Sequence, residues 1–279
     1  MPDKLVSVIV RTCGRPSILK ETLKSIEAQT YPYVQVVVVE DGKEISRSLI
    51  ETQFSKMNIK YIATGKKIGR AATGNIGLSI ADGVYLNFLD DDDLFYPQHL
   101  EKLVEFINKK HAKAVYAIAE ESQIKVISTD PYKFKEKRKL IRYRQPYNKL
   151  LLCGFNYIPI QSILFEKELY EQKGGFDESL DFLEDWDLWI RYSTICDFDF
   201  LPEVTSRYFV PYKGKKKLLR SRELEDAITP LKRKLYDYKI DLNVGEVKEE
   251  IDYVLNVYNQ KSMVYYLKMI RNFILYRDF

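Results

Sequence analysis

The sequence predicts an α/β protein with a central, mostly parallel sheet. Apolar runs of strand length alternate with stretches in which apolar residues recur at helical spacing. Two of the apolar runs, residues 34–39 and 84–89, end in acidic residues. Because the carboxyl ends of parallel strands meet at one edge of a sheet, where such folds bind ligands, these acids predict a shared crevice.

The first 80 residues predict strand–helix units. Strands are expected at residues 5–10, 34–39 and 59–62. Pro16 suits the first turn of the helix after the first strand, whose core face carries Leu19, Leu23 and Ile26. A basic, glycine-containing segment, residues 65–75, leads into the helix before the acidic strand. Its glycines match neither the P-loop nor the dinucleotide-binding pattern, so the sequence supports neither an ATPase nor a dinucleotide-binding protein.

Four consecutive carboxylates, residues 90–93, follow the predicted central strand. In an extended chain Asp90 and Asp92 face the same way, while Asp91 points elsewhere. Two carboxylates about 6 Å apart repel by roughly 3 kcal/mol at an effective dielectric of ~20, so a positive charge is expected between them. We expect Mg²⁺ or Mn²⁺, hard ions that prefer oxygen ligands and bridge carboxylates to phosphates. The alternative is a solvated turn that caps the helix near Pro97, but capping needs one Asp and not four.

The second half predicts a helix at residues 97–110 and strands at residues 114–119 and 159–165. A later helix begins near Glu184, and its core face carries Leu188, Trp189 and Tyr192. Glu184 and Asp185 fall in its first turn, where negative side chains complement the helix dipole. Alternatively one of them is a catalytic base, and the acidic pair alone does not decide between these interpretations.

The net charge of +4 conceals one basic segment. Residues 133–149 hold eight Lys or Arg against Glu136 alone, which leaves −3 for the remainder of the chain. Interleaved aromatic residues allow a nucleic-acid interpretation, but 40 acidic residues and the lack of any RRM, KH or helix-turn-helix pattern argue against it. An anionic acceptor, a phospholipid surface and a solvated loop remain as alternatives.

The sequence also predicts a compartment. Three cysteines show neither metal-ligand spacing nor an even count, which favours a reducing environment. The chain shows no charged-then-apolar leader and no apolar run of about 18 residues. We therefore expect a cytoplasmic protein without a transmembrane helix.

Taken together, these motifs resemble those of family 2 glycosyltransferases of the GT-A type. The resemblance covers roughly residues 5–210, and its motifs occur in the family's order. In the first half they are residues 6–10, residues 39–42, Gly69, Ala72 and residues 75–78. They continue with residues 88–93, Pro97, residues 175–177 and residues 184–191. This resemblance implies a GT-A type nucleotide-sugar-binding fold, with a Rossmann-like sheet, in residues 1–210 and a helical C-terminal extension in residues 211–279.

The resemblance implies a metal-dependent, inverting transfer of a sugar from a nucleotide-diphospho-sugar, most often a UDP-sugar, to an acceptor hydroxyl. The acceptor would be a saccharide or lipid-linked saccharide, as in bacterial surface polysaccharide or glycoconjugate synthesis. Asp185 would be the base, with Glu184 beside it, and Asp92 with Asp90 would hold Mg²⁺ or Mn²⁺. The implied nucleotide-binding residues are Thr12, Arg15, Asp41, Arg70, Asn75, Asp90 and Asp91.

Two departures from the family pattern fall in the region implied to bind the nucleobase. Residues 40–43 read Glu-Asp-Gly-Lys where many relatives have Asp-Asp-Gly-Ser. Residues 11–14 read Arg-Thr-Cys-Gly in place of the usual Pro-Thr-Tyr-Asn.

Two other functions compete with glycosyl transfer. A haloacid-dehalogenase-like phosphotransferase also places Asp-x-Asp after a strand, but its pattern requires a small β-branched residue where this chain has Leu94. A non-catalytic member of the glycosyltransferase fold would bind a sugar nucleotide or polysaccharide only. Loss of the acidic residues would indicate such a protein, whereas all of them are present here.

The chain from Tyr212 onward is expected to be a helical appendage with two possible roles. Six basic residues in 213–222, and the apolar and aromatic residues of 264–279, suit an interfacial helix at a membrane surface or a partner. Alternatively the tail docks on its own domain, or on a second subunit of a homo-oligomer, through Ile251, Val254, Leu255 and Tyr258.

Overall fold

The computed structural model describes residues 4–180 and 182–257 of the chain. Its strands are β1 (Val6–Thr12), β2 (Val34–Glu40), β3 (Ile59–Ala63), β4 (Tyr85–Asp90), β5 (Leu94–Phe95), β6 (Ala114–Thr129), β7 (Tyr132–Ile141), β8 (Ile163–Glu166) and β9 (Asp199–Pro211). Its helices are α1 (Pro16–Glu27), α2 (Arg47–Gln53), α3 (Arg70–Ile80), α4 (His99–Lys110), α5 (Lys149–Gly154), α6 (Lys167–Lys173), α7 (Glu184–Ser193), α8 (Lys215–Leu235) and α9 (Val244–Val257).

The described strands form one sheet in the order β3-β2-β1-β4-β8-β6-β9-β5, and β7 pairs with β6. The strands β1 to β4 are mutually parallel, as the strand–helix alternation predicts. The second half adds antiparallel pairs through β8, while β9 runs parallel to β6. The predicted α/β class is therefore confirmed.

Helices cover both faces of the sheet because alternate strand residues point to opposite sides. Val8 and Val10 pack with Leu19 and Leu103 on the side of α1 and α4. On the other side Ile9 packs with residues of α3 and α7, including Leu78 and Trp189. The helix α3 lies so close to β1 that a Cβ on Gly77 would stand 2.3 Å from Cγ2 of Ile9. The absent side chain at residue 77 thus sets how near the helix comes to the sheet.

The first part of the basic segment, residues 133–141, is a strand and not the solvated loop considered from the sequence, whereas residues 142–148 are irregular. Residues 132–141 form β7, which pairs antiparallel with the outer part of β6 to make a two-stranded arm. The aromatic ring of Phe134 packs on Phe209 of β9, which anchors one face of the arm. The period-2 alternation of lysine with Tyr132, Phe134 and Glu136 is the strand signal in this stretch.

The helices α8 and α9 pack on the sheet domain. Leu231 is fully buried in the same core as Trp189. Polar contacts join the same elements: the Tyr238 hydroxyl donates to Asp187 at 2.6 Å, and Asn148 donates to the Glu250 carbonyl at 3.0 Å.

The predicted docking residues of the tail divide into three cases. Val254 is buried, as the docking alternative predicted, whereas Ile251 and Leu255 are each 45% exposed. Tyr258 and residues 264–279 lie outside the described residues. Among the described residues, no helix is long and apolar enough to cross a bilayer.

We predict that Leu231→Ala destabilises the protein by about 2–5 kcal/mol, because a fully buried leucine leaves a cavity when it is truncated. Urea denaturation measures the change. The matched control is Leu219→Ala on the same helix, where the leucine is 57% exposed, so its unfolding midpoint should barely move. Equal effects of the two changes would mean that α8 is not packed as described.

Candidate active site

The carboxyl ends of β1, β2 and β4 meet at one edge of the sheet. In the strand register Arg11 lies beside Asp90, and Thr12 lies beside Glu40. A first cavity of about 500 Å³ opens over this edge, and a second cavity of about 640 Å³ holds Glu184 and Asp185. The two cavities share seven wall residues, namely Arg11, Arg70, Asp90, Asp93, Phe182, Tyr208 and Arg220. The two acidic clusters identified in the sequence therefore stand on either side of one common wall.

A buried arginine joins the two acidic clusters. The Arg11 side chain is 6% exposed, and its Nε donates to Oδ1 of Asp90 at 2.8 Å. Its Nη1 donates to Oε1 of Glu184, also at 2.8 Å. Burial alone would lower the pKa of Arg11, but the charges of Asp90 and Glu184 outweigh it and raise that pKa. The guanidinium is therefore fixed in its charged form between two carboxylates.

Asp90 is the ionised member of the acidic stretch. Burial would raise the pKa of this carboxyl, but Arg11, followed by Arg70, outweighs burial and lowers it. Asp93 behaves in the opposite way, because burial and the neighbouring carboxylates raise its pKa well above the usual range. Its Oδ1 accepts a hydrogen bond from the Phe209 backbone N–H at 3.1 Å. The stretch thus avoids carrying four full negative charges at neutral pH.

Asp91 lines the first cavity together with Asp90 and Asp92, and the chain turns at residues 91 and 92 instead of staying extended as expected from the sequence. The Asp91 side chain is fully buried, with Thr12 Oγ1 donating to Oδ2 at 2.6 Å and Arg15 Nε donating to the same oxygen at 3.0 Å. Arg15 also reaches Oδ1 through Nη2. Burial nevertheless raises the pKa of Asp91 to about 7. Thr12 and Asp91 therefore use their hydrogen bonds to hold Arg15 at the rim of the first cavity.

The residues of the acidic stretch fit a divalent cation that a bound ligand would help to coordinate. Arg11 contacts Asp90 at Oδ1, through Nε at 2.8 Å and Nη2 at 2.7 Å, and the Asp92 side chain is 39% exposed at the first cavity. Among the described residues, no group of three or more His, Cys, Asp or Glu side chains could hold a metal by itself. Mg²⁺ is commonly held by one or two carboxylates together with substrate phosphates. Asp90 and Asp92 can supply the carboxylates.

Asp41 and Arg70 also line the first cavity. The Asp41 carboxylate accepts hydrogen bonds from the backbone N–H groups of Ile68 at 2.6 Å and Gly69 at 3.1 Å. These two hydrogen bonds fix the glycine-containing loop just before the first turn of α3. Arg70, the first residue of α3, places its guanidinium 4.7 Å from the ring centre of Phe182.

Asp185 has the environment of a proton acceptor. It accepts a hydrogen bond from Asn156 Nδ2 at 3.0 Å and one from its own helix, the Trp186 backbone N–H, at 2.8 Å. Burial, and next the charge of Glu184, raise the pKa of Asp185 to about 7. Glu184 itself is engaged by Arg11. A carboxylate near half-ionisation at neutral pH is suited to general base catalysis.

Asn75 is not brought to either cavity. Its amide donates to the Phe176 carbonyl at 3.0 Å and accepts from the Phe176 N–H at 2.7 Å, so it fastens the turn at residues 175–178 to α3. The prediction that it contacts a nucleotide has no support from this placement, because the hydrogen bonds that such a contact needs are already made.

Sequence reasoning missed four residues that line both cavities, namely Arg11, Phe182, Tyr208 and Arg220. Arg11 could have been identified from the sequence. It directly follows the apolar run of residues 5–10, and a charged residue in such a position is buried only when it is paired. Tyr208 and Arg220 come from β9 and α8, which lie far from the acidic stretch in sequence.

Comparison with known proteins gives a consistent family. The model of Glycosyl transferase family 2 matches residues 7–169. An uncharacterised glycosyltransferase of Rickettsia prowazekii is 28% identical over 239 residues, covering 83% of this chain and 72% of that protein. Two solved structures share the fold. S. aureus TarS in complex with UDP-GlcNAc matches 96% of this chain and 73% of its own, at 16% identity and a TM-score of 0.69.

The second structure is a mannosyltransferase from Pyrobaculum calidifontis in complex with GDP-Man and Mn²⁺. It matches 99% of this chain and 76% of its own, at 15% identity and a TM-score of 0.65.

We predict that Arg11→Met costs about 3–5 kcal/mol of folding free energy, because it leaves two carboxylates in a buried site without their cation. Urea denaturation at pH 7 measures the loss. Arg47→Met is the control, since Arg47 makes exposed ion pairs with Glu44 and Glu51 and lies 5.0 Å from the ring centre of Tyr61, so it should move the midpoint only slightly. A stability loss no larger than that of the control would show that Arg11 does not bridge the acids in solution.

Proposed function

Because the chain belongs to glycosyl transferase family 2, we propose that it is a metal-dependent, inverting glycosyltransferase that uses a nucleotide-diphospho-sugar donor. The observation that carries the proposal is the meeting of two acidic clusters across the shared wall of two cavities. One cluster can neutralise a diphosphate through a cation, and the other contains a carboxyl poised to accept a proton. The reaction needs both functions side by side.

The first cavity is the proposed donor site. It offers Arg15, Asp41, Arg70 and Asp90 around the nucleotide, with Thr12 and Asp91 acting through Arg15, and with Asp92 and Asp90 as the ligands of Mg²⁺ or Mn²⁺. UDP is the proposed nucleotide, and the complexes of the two structural neighbours with UDP-GlcNAc and with GDP-Man and Mn²⁺ support a nucleotide sugar and a divalent cation. Asn75 is left out of this set because its amide holds the turn at residues 175–178.

The second cavity is the proposed acceptor site. Asp185 would take the proton of the acceptor hydroxyl as its oxygen forms the new bond to the anomeric carbon. The carbon–oxygen bond to the diphosphate breaks on the opposite face, so a single displacement inverts the anomeric centre. The divalent cation supplies charge stabilisation for the departing diphosphate. Arg15, Arg70 and Arg220 place further positive charge at the first cavity, which Phe182 and Tyr208 also line.

The acceptor is proposed to be a saccharide or lipid-linked saccharide in bacterial surface polysaccharide or glycoconjugate synthesis. We place the enzyme in the cytoplasm, with a peripheral contact of residues 212–279 to the inner face of the membrane. Exposed Leu218 and Leu219, at 56% and 57%, support such a contact. A non-catalytic sugar-nucleotide-binding protein is the alternative function, and the presence of Asp92, Glu184 and Asp185 argues against it.

We predict that UDP binds in a metal-dependent manner, because Asp90 and Asp92 can reach a diphosphate only through a cation. Titration calorimetry with UDP and Mn²⁺ should show binding that chelator weakens or abolishes. Equal affinity with Mn²⁺ and with chelator, or no affinity for any nucleoside diphosphate, would refute the donor-site assignment.

We further predict that Asp92 and Asp185 have separable roles. Asp92→Asn removes charge from the cation site, so metal-dependent UDP binding and turnover should both fall. Asp185→Asn keeps the size of the side chain but cannot accept a proton, so UDP binding should survive while turnover falls by roughly 10² to 10⁴. Calorimetry and a nucleotide-release assay on the two variants separate these outcomes.

The pH profile provides the control for this assignment. A base with its pKa raised to about 7 is active when deprotonated, so turnover should rise with pH through about 7. Glu184→Gln removes a charge that raises the pKa of Asp185, so the rise should move to lower pH. Near-normal turnover in Asp185→Asn, with collapse in Glu184→Gln, would instead make Glu184 the base.

A further inference from the structure

The two-stranded arm carries four exposed cations on one face. Lys125 of β6 lies directly opposite Lys135 of β7, Ser128 lies opposite Lys133, and Gln123 lies opposite Arg138. Residues directly opposite in an antiparallel pair share a face of the sheet. We call the set of Lys125, Lys133, Lys135 and Arg138 the basic strip.

The basic strip continues the wall of the second cavity. Along β6, residues 121, 123 and 125 point to the same face because side chains alternate. Glu121 lines the second cavity, and so do its β9 neighbour Tyr208 and the Gln123 neighbour Val210. The strip therefore begins one residue pair beyond the cavity wall and runs outward along the arm.

All four cations of the strip are exposed, and none of them forms an ion pair with another described residue. The nearby acids are engaged elsewhere: Glu121 binds Arg142, while Glu120 and Glu136 lie on the opposite face and bind Lys139 and Arg207. Lys125 and Lys135 face each other with like charge, an arrangement that destabilises a strand pair.

Edge protection alone does not account for this pattern. Lysines on free edge strands prevent pairing with other chains, but a mixture of both signs would serve that purpose without cross-strand repulsion. A single sign, kept on the one face that leads into the cavity, points to an external anion. Three of the four cations are lysines, which act as point charges and suit phosphate or carboxylate groups in flexible chains.

Building on the function proposed above, we propose that the acceptor is an anionic glycan chain bearing phosphate or carboxylate groups. Its reacting end lies in the second cavity beside Asp185, and its following units lie along the basic strip. A bilayer is the less favoured partner, because membrane binding gains from buried apolar side chains and the strip is wholly charged.

The test uses fluorescent glycerol phosphate oligomers and oligogalacturonates, each in a short and a long form, with maltooligosaccharides as neutral probes. Fluorescence anisotropy measures binding to the full chain in the presence of UDP and Mn²⁺. The test variant is Lys125→Gln/Lys133→Gln/Lys135→Gln. The control, Lys56→Gln/Lys109→Gln/Lys248→Gln, removes the same charge from exposed lysines elsewhere, each without an ion pair among the described residues.

We expect the long anionic probes to bind more tightly than the short ones, and the neutral probes to bind weakly. The test variant should lose about tenfold in affinity for long anionic probes, because three charge contacts are removed, and should lose the length dependence. The control variant should behave like the parent chain. Preference for the phosphate or the carboxylate oligomer identifies which anionic group the strip recognises.

Three results would overturn the inference. One is equal loss of probe binding in the test and control variants, which would mean that only net charge matters. Another is flotation with phosphatidylglycerol vesicles that depends on the strip lysines, without such dependence for the soluble oligomers. The third is unchanged probe binding in the test variant. UDP binding, measured in parallel, should stay normal in both variants, so failure of the strip is distinct from failure of the donor site.

Discussion

The site depends on the double ion pair of Arg11. The guanidinium is almost fully buried, and it pairs at once with Asp90 at the end of β4 and with Glu184 at the start of α7. Without that cation the two carboxylates would repel, which favours their protonated forms, just as burial and the neighbouring carboxylates raise the pKa of Asp93. Because Arg11 is the last residue but one of β1 and Glu184 begins α7, the same contact fixes the position of α7 against the sheet. The placement of Asp185, one residue further on, follows from it.

The charges of the acidic stretch are handled by three different means. Asp90 stays ionised beside Arg11, Asp91 is bound by Arg15 and Thr12, and Asp93 is buried with a raised pKa. This division leaves Asp92 as the most exposed of the four side chains at the first cavity. Arg11 and Arg15 thus supply part of the positive charge that offsets the repulsion among the four carboxylates, and the proposed cation would supply the rest.

The sequence predicted much of the fold because its signals are local. The apolar strands, the helical faces of α1, α4 and α7, and the acidic strand ends are all readable from periodicity and from alternation. The strand β7 also carried such a signal, in which Tyr132 and Phe134 alternate with lysines, but its positive charge dominated the interpretation. Contacts between distant residues were not predictable in this way. Arg15 meets Asp91 across 76 positions, and Arg11 meets Glu184 across 173.

The helix α8 has a consequence for how this chain can change. The family match ends at residue 169, yet the second cavity is walled by residues beyond it, including Phe182, Tyr208, Arg220, Glu223 and Leu224. Both cavities therefore depend on residues beyond the family match, because Phe182, Tyr208 and Arg220 line the first cavity as well as the second. Within α8, a change at Arg220 would act on both cavities at once, whereas changes at Glu223 and Leu224 would act on the second cavity alone.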